Sequence, residues 1–286
     1  MGHRIVARVL ALGLLLTSAA AHAQLSGVTN NSGSAVSTNS CSAGNNGDGF
    51  CGFSTSFTAG PTATSFTSRY AWNINADTGI GGTRDSNGTA THRVGFTVTS
   101  ATGYKLDIST QFVGDLARNS DAIGCNGAAD ISSVTGSSNV ANTGNLSIPD
   151  PATLGNGGGT TDVPFNPTAS AQIVTTAAPS GRAHVLTFTW TGTSRSNSCE
   201  ASVRLGQTNG STSGCSVCGY PGSPSRTQAN DGHFVSVLFT NLCGNNVVDA
   251  GSGEQCDLGG QNGSAAGCCS STCTFRSEER SCRERV

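Results

Sequence analysis

The sequence predicts an all-β protein: an antiparallel β-sandwich-like domain followed by a small disulfide-rich module with little regular structure. Three observations predict it. Short runs between 64 and 240 alternate apolar and polar residues with a period of two, the pattern of half-buried antiparallel strands. Gly, Ser, Thr and Asn dominate the composition, charged residues are only 11%, and helical periodicity of useful length is absent beyond the N-terminus. Five cysteines crowd into residues 243–273, a density at which covalent bonds stand in for an apolar core.

Taken in order, residues 1–23 have the pattern of a secretory signal peptide. Arg4 and Arg8 give the charged start, and Val9 to Ala20 give an apolar stretch short for a bilayer span. Ala21-His22-Ala23 is a small-x-small cleavage site, so the mature chain is expected to begin at Gln24. The expected localisation is secreted or cell surface, and no later segment reads as a transmembrane span. Residues 24–63 are rich in Ser, Asn and Gly. Within them Cys41 and Cys51 bracket turn-forming residues, which predicts a local disulfide-closed loop.

Residues 64–241 are expected to form the sandwich. Alternation is clear at Phe66, Tyr70, Trp72 and Ile74, over 93–98, over 104–108, over 184–190, over 201–205 and over 234–239. Seven or more such strands fit two packed sheets. Trp72 and Trp190 lie on alternating runs and are expected in the core rather than on a carbohydrate platform. Gly155 to Gly159 is expected to be a flexible loop. It lacks the flanking strand, helix and Lys-Ser/Thr of a phosphate-binding loop.

Composition and motifs narrow the function. The net charge of −2 gives no basic surface for nucleic acid. The mature chain holds His92, His184 and His233, none at metal-ligand spacing with another and none beside a nucleophile elbow or a His-Glu-x-x-His motif. Cys215 and Cys218 form a CxxC flanked by Gly and Pro, without a second pair to complete a zinc site. In an exported chain structural disulfides are expected, with Cys125 and Cys199 as further candidates and the connectivity left open. The expected function is that of a non-enzymatic binding or adhesion protein, its partner an unidentified extracellular protein or glycan. The alternative is an extracellular polysaccharide hydrolase, for which Asp107, Asp115, Asp130, Asp162, Glu200 and Asp231 are the acids from which a carboxylate pair would have to come.

The module at 242–275 begins Leu242-Cys243-Gly244-Asn245, continues through Val247 and Asp249, and reaches Glu254 and Cys256-Asp257. It then runs through the vicinal pair Cys268-Cys269 to Cys273. This stretch resembles the opening of a disintegrin domain of the adamalysin type, and equally the cysteine-rich repeat of secreted myxobacterial-type proteins. The resemblance implies a structural calcium ion held by the side chains of Asn245, Asp249, Glu254 and Asp257 and the backbone carbonyls of Leu242 and Val247. Calcium takes six to eight hard oxygen ligands, which three carboxylates and an amide help to supply. The sequence departs from the family pattern at Ser252-Gly253, an insertion expected to displace Glu254 and weaken the site. The other reading is a disulfide-only turn with solvated carboxylates. There is no Arg-Gly-Asp in the chain, so integrin binding is not implied. Cys243, Cys256, Cys268, Cys269 and Cys273 are disulfide candidates, and adjacent cysteines are expected to bond different partners.

Residues 276–286 break the composition, with seven charged residues in eleven positions. Arg276-Ser-Glu-Glu-Arg280 is also the translation of a common sequencing adapter. The expectation is a natural protein that runs on past Phe275, toward further repeats and a surface-sorting segment. The leader, the preference for arginine over lysine and the repeat type look bacterial.

Overall fold

The computed structural model describes residues 24–30, 49–56, 64–77, 83–119, 126–159, 161–197, 200–205, 231–264 and 267–276. Fourteen strands among them form two antiparallel sheets. One sheet has the order β1 (Gln24–Asn30), β4 (Thr83–Ser100), β12 (Ala178–Asn197), β6 (Asn126–Ile131), β9 (Ala152–Gly157), and β7 (Thr135–Ser138) also pairs with β12. The other has the order β13 (Glu200–Leu205), β3 (Ser65–Asp77), β14 (Gly232–Asn241), β5 (Tyr104–Asn119), β11 (Thr168–Thr175), β8 (Thr143–Asn145). Here β2 (Gly49–Ser56) pairs with β3, and β10 (Thr161–Phe165) pairs with β5. The all-β, two-sheet class is the one the alternation predicts. No helix among the described residues is long and apolar enough to cross a membrane.

The alternation sorts side chains onto two faces because successive Cβ atoms point to opposite sides of a strand. On β12, His184, Leu186, Phe188 and Trp190 are buried, and Thr187, Thr189, Thr191 and Thr193 lie on the outer face. The outer threonines meet threonines of β4: Thr89 Oγ1 is 3.1 Å from Thr191 Oγ1, and Thr91 Oγ1 is 3.4 Å from Thr189 Oγ1. Inside, Trp190 meets the edges or faces of Tyr70, Trp72 and Phe112 at centroid distances of 5.5, 6.2 and 4.8 Å. Both tryptophans are 1% exposed, so they are core residues. Gly192, two residues after Trp190, sits under the Trp72 ring. A Cβ there would lie 2.5 Å from the indole, which is why a chain of bulky β-formers admits one glycine at this point.

Several elements differ from expectation. The 24–63 segment supplies two strands, β1 and β2, one to each sheet. Cys51 lies within β2 opposite Ile74, so the strand begins before the expected loop ends. Residues 155–157, expected in a flexible loop, close strand β9. The Thr-, Gly- and Asn-rich stretch 126–175 supplies six strands, β6 to β11, whose small polar residues carry no strong alternation. The leader 1–23, Cys41, Cys125, Cys199, Cys215, Cys218 and residues 277–286 lie outside the described residues.

After β14 the chain enters the module. It has two single 3-10 turns, Ala250–Ser252 and Gly259–Gln261, and an isolated bridge between Cys269 and Phe275. Disulfides join Cys243 to Cys273 and Cys256 to Cys269. Cys268 is also disulfide-bonded, so the vicinal cysteines have different partners. Among the described residues of the module, buried Cys256, Cys269 and Cys273, with Cys243 and Phe275 against them, form its apolar cluster.

Candidate functional site

Register builds a groove on the outer face of the larger sheet. Across five strands, Thr67, Ser236, Ser109, Ser170 and Asn145 stand in one row. Two residues along, Ser65, Leu238, Asp107, Gln172 and Thr143 stand in a second. Neighbouring strands are about 4.8 Å apart, so the first row is a ladder of polar groups at that spacing, and the second is polar except at Leu238, which is half exposed. The rows line a groove of about 740 Å³. Thr67 Oγ1 and Ser236 Oγ are 2.9 Å apart. Gln172 Nε2 donates to Asp107 Oδ1 at 2.6 Å, and Lys105 Nζ lies 3.1 Å from Asp107 Oδ2. The groove's one carboxylate is therefore matched by a cation and an amide. What remains is a charge-balanced surface of hydroxyls and amides, each able to donate and accept, with the exposed Leu238 side chain among them. None of these residues except Asp107 carries a signal in the sequence. The polar half of an alternating strand reads only as solvent-facing, and cross-strand neighbours are invisible without the register.

The module gathers the acids that the resemblance singles out. Asp257 Oδ2 accepts from the backbone N–H groups of Gly244 and Asn245 at 2.9 and 3.0 Å. Its Oδ1 accepts from Gly259 N at 2.7 Å and Asn262 Nδ2 at 2.8 Å. Burial would raise this carboxyl's pKa, but the four donors together outweigh it and hold the group below its ordinary value. Asn245 Nδ2 donates to Asp249 Oδ2 at 2.9 Å, and Asn245 Oδ1 accepts from Val247 N at 2.7 Å. Glu254 is 8% exposed. Its Oε2 accepts from Asp249 N at 2.9 Å, and its Oε1 is buried with no hydrogen-bond partner. Burial first, and then the charges of Asp249 and Asp257, push the Glu254 carboxyl up. Asp257 and Asn245 thus act as acceptors for the module's own N–H groups, and among the described residues the group that comes within metal-ligand distance is Glu254 with Cys243 and Cys273. Leu242 is buried and Val247 is exposed. Cys243 and Cys273 Sγ lie close to Glu254, but they are bonded to each other and offer no thiolate. The Ser252-Gly253 insertion is accommodated in the Ala250–Ser252 turn and its C-terminal cap.

The histidines are in the core. His92, His184 and His233 are all 0% exposed. Ser68 Oγ lies 2.9 Å from His92 Nε2, His92 Nδ1 lies 2.9 Å from His233 Nδ1, and His233 Nε2 lies 2.6 Å from Thr110 Oγ1. This four-membered chain needs no charge. One Nδ1 carries the proton and the other accepts, and every remaining bond then runs in the same direction. His184 Nε2 pairs with the Tyr104 hydroxyl at 2.8 Å. Burial pushes His92 down to about 3 and, helped by the charge of Arg182, His184 down to about 4. It pushes His233 well below the ordinary range, with His92 adding to the effect. These rings are structural and meet no open cleft.

The acids considered for hydrolysis are dispersed. Asp107 lies in the groove, Asp115 and Asp231 are buried, and Asp130 accepts from Thr153 Oγ1 at 2.5 Å on the other sheet. Asp162 lies in β10 opposite Ala117, and Glu200 opens β13 opposite Asp77 and Asn119. Among the described residues, the groove lining holds one carboxylate. No family model and no curated protein matches the chain.

Proposed function

We propose that this chain is a secreted or cell-surface binding protein without catalytic activity, whose sandwich takes a glycan in the groove across β3, β14, β5, β11 and β8. The observation that carries this reading is the polar ladder Thr67, Ser236, Ser109, Ser170 and Asn145, with a second row beside it that is polar except at Leu238. A neutral sugar chain presents hydroxyls that both donate and accept, as do Thr67, Ser109, Ser170 and Ser236. The pairing of Asp107 with Lys105 and Gln172 leaves the groove without the excess charge that an acidic or phosphorylated ligand needs. Retaining or inverting hydrolysis takes two carboxyls about 5–10 Å apart, and the groove lining offers one. The disulfides accord with an exported, oxidising setting. The cysteine-rich module is the spacer in this reading, held by its disulfides.

The test is retention of the purified chain on immobilised neutral polysaccharides, with Ser109→Trp/Ser170→Trp as the comparison. Both serines are exposed, so the double variant is expected to keep its fold by circular dichroism while losing at least tenfold in affinity. Equal retention of both proteins would remove the groove from the reading. Sugar release by the wild-type chain would replace it with the hydrolase.

A further inference from the structure

The chain holds a single Asp-Pro pair, Asp150-Pro151, in the stretch Ile148-Pro149-Asp150-Pro151 between β8 and β9. Both ends of this stretch are pinned. Val134 N donates to Ile148 O at 2.8 Å, and Ile148 N donates to Val134 O at 2.9 Å. Ile148 is also buried in the core. On the other side, Ala152 opens β9 opposite Ile131 of β6. Three residues make the turn between these anchors. Two of them are prolines, whose rings fix their own φ, so the turn falls on Asp150.

Asp150 sits at φ +38°. This is the left-handed region, which an L side chain seldom enters. A residue before proline is further crowded by the proline ring and favours extended backbone. Asn246 and Cys273 also have positive φ, but neither precedes a proline. The strained bond is open to water, because Asp150 is exposed. Its Oδ1 accepts from Ser133 Oγ at 3.2 Å, and among the described residues no donor holds Oδ2.

We propose that Asp150–Pro151 is a self-cleavage site, at which the folded chain cuts its own backbone. The attacking carboxylate and the attacked carbonyl belong to one residue, so no second catalytic group is needed. A carboxylate oxygen of Asp150 bonds to the Asp150 carbonyl carbon, and the bond from that carbon to Pro151 N breaks. The electron pair of the broken bond goes to Pro151 N, which takes a proton from solvent and leaves as a secondary amine. The other product is the cyclic anhydride of Asp150, which one water molecule opens to two carboxyl groups. The sum is a hydrolysis in which nothing is oxidised or reduced. The fold's share is the strain. Breaking the bond frees Asp150 from both the proline ring and the left-handed backbone, so energy stored by the anchors is released in the step.

Cleavage leaves the two pieces interlocked. The N-terminal piece ends just beyond β8, which pairs with β11 of the other piece, and the C-terminal piece begins at β9, which pairs with β6. The long strands β4 and β12 pair across the cut as well. The product is a two-piece sandwich, not two released domains.

The experiment incubates the purified full chain at pH 5.5, with circular dichroism reporting the fold, and reads cleavage by reducing, denaturing gel and by mass. It compares the folded wild type, the wild type unfolded in urea, and Asp150→Asn, which removes the nucleophile and keeps a residue that tolerates the left-handed region. The expected result is two pieces that part only in denaturant, with Pro151 at the new N-terminus. Cleavage is expected to be at least fivefold faster in the folded chain than in urea, and undetectable in Asp150→Asn. A wild type that stays intact overturns the proposal, as does cutting at another bond or in Asp150→Asn. Equal rates in the folded and unfolded wild type also overturn it, since the bond would then show only the ordinary lability of any Asp-Pro pair. That comparison decides the matter if Asp150→Asn does not fold.

Discussion

The three core histidines set how this protein responds to acid. Each is buried and neutral in the folded chain, and each takes a proton in the unfolded chain near pH 6.5. Their folded pKa values are depressed, to about 3 for His92, to about 4 for His184, and well below normal for His233. The unfolded state therefore binds more protons once the pH drops below about 6.5. The stability they allow is fully present above that point and is lost as the pH falls toward their folded values. One proton per pH unit is worth about 1.4 kcal/mol, so three together cost about 4 kcal/mol per unit in the steep part of the window. A domain with about 5–15 kcal/mol in hand is expected to unfold by about pH 4. Urea melts at pH 7, 5.5 and 4.5 check this, and a midpoint that stays constant from pH 7 to 5 would contradict it. His184→Gln is expected to flatten the slope by about one third. The fate of these rings was only partly legible. Scattered histidines without motif neighbours point to structural roles, but the Ser68–His92–His233–Thr110 chain depends on two sheets meeting face to face.

At the scale of elements, legibility followed side-chain size. Strands β3, β5, β12 and β14 carry runs of large apolar residues on alternate positions, interrupted at Ser68, Thr110 and the histidines, and the alternation located each of them. It stopped short on β4 and β12, which continue through Thr83–His92 and Thr191–Asn197. There the inward positions are filled by Ala90, Ser194 and Ser196, too small or too polar to register. The β6–β10 region is held in another way. Arg118, 8% exposed, donates from Nε to Gly159 O, from Nη1 to Gly127 O and Gly155 O, all at 3.0 Å, and from Nη2 to Thr161 Oγ1 at 3.1 Å. One guanidinium so ties β5 to β6, β9 and β10. Gly127 and Gly157 leave it space, since a Cβ on either would lie 3.0 or 2.9 Å from its atoms. The glycine run that resembles a flexible loop is the cradle of this side chain. Hydrogen bonds to a charged group contribute about 1.5–3 kcal/mol each, with strong overlap among them. Arg118→Ala is expected to cost about 3 kcal/mol and to raise hydrogen exchange first in β9 and β10. A melt unchanged by the substitution would show that the strands hold without the tie.

The whole molecule joins two solutions to the problem of staying folded. The sandwich buries some thirty apolar side chains in one cluster, whereas the module's own cluster is three buried half-cystines with Cys243 and Phe275 against them. The module's two described disulfides close loops with sequence separations of 30 and 13. On the chain-entropy account each contributes about 3–4 kcal/mol, a large share for a segment with so little to bury. Both lie within the module, so reducing them leaves the apolar core of the sandwich intact. Reduction in the presence of a chelator is therefore expected to abolish exchange protection over 242–276 while the far-UV signal of the sheets persists. The module is also seated on the sandwich, where a Cβ on Gly103 would lie 2.4 Å from Ser252 Cβ and Leu242 N donates to Gly103 O at 3.1 Å, which makes this more than a statement about two independent parts. Releasing the module uncovers Gly103 and Leu242 and removes the neighbours of Val174 and Thr176, at one edge of the larger sheet. The sandwich is expected to melt only a few degrees lower, because a joint made of one turn and one backbone bond contributes little beside its core. Loss of both signals in a single transition would mean that the module is an integral part of the sandwich, and that the cysteine-rich segment completes the fold rather than extending from it.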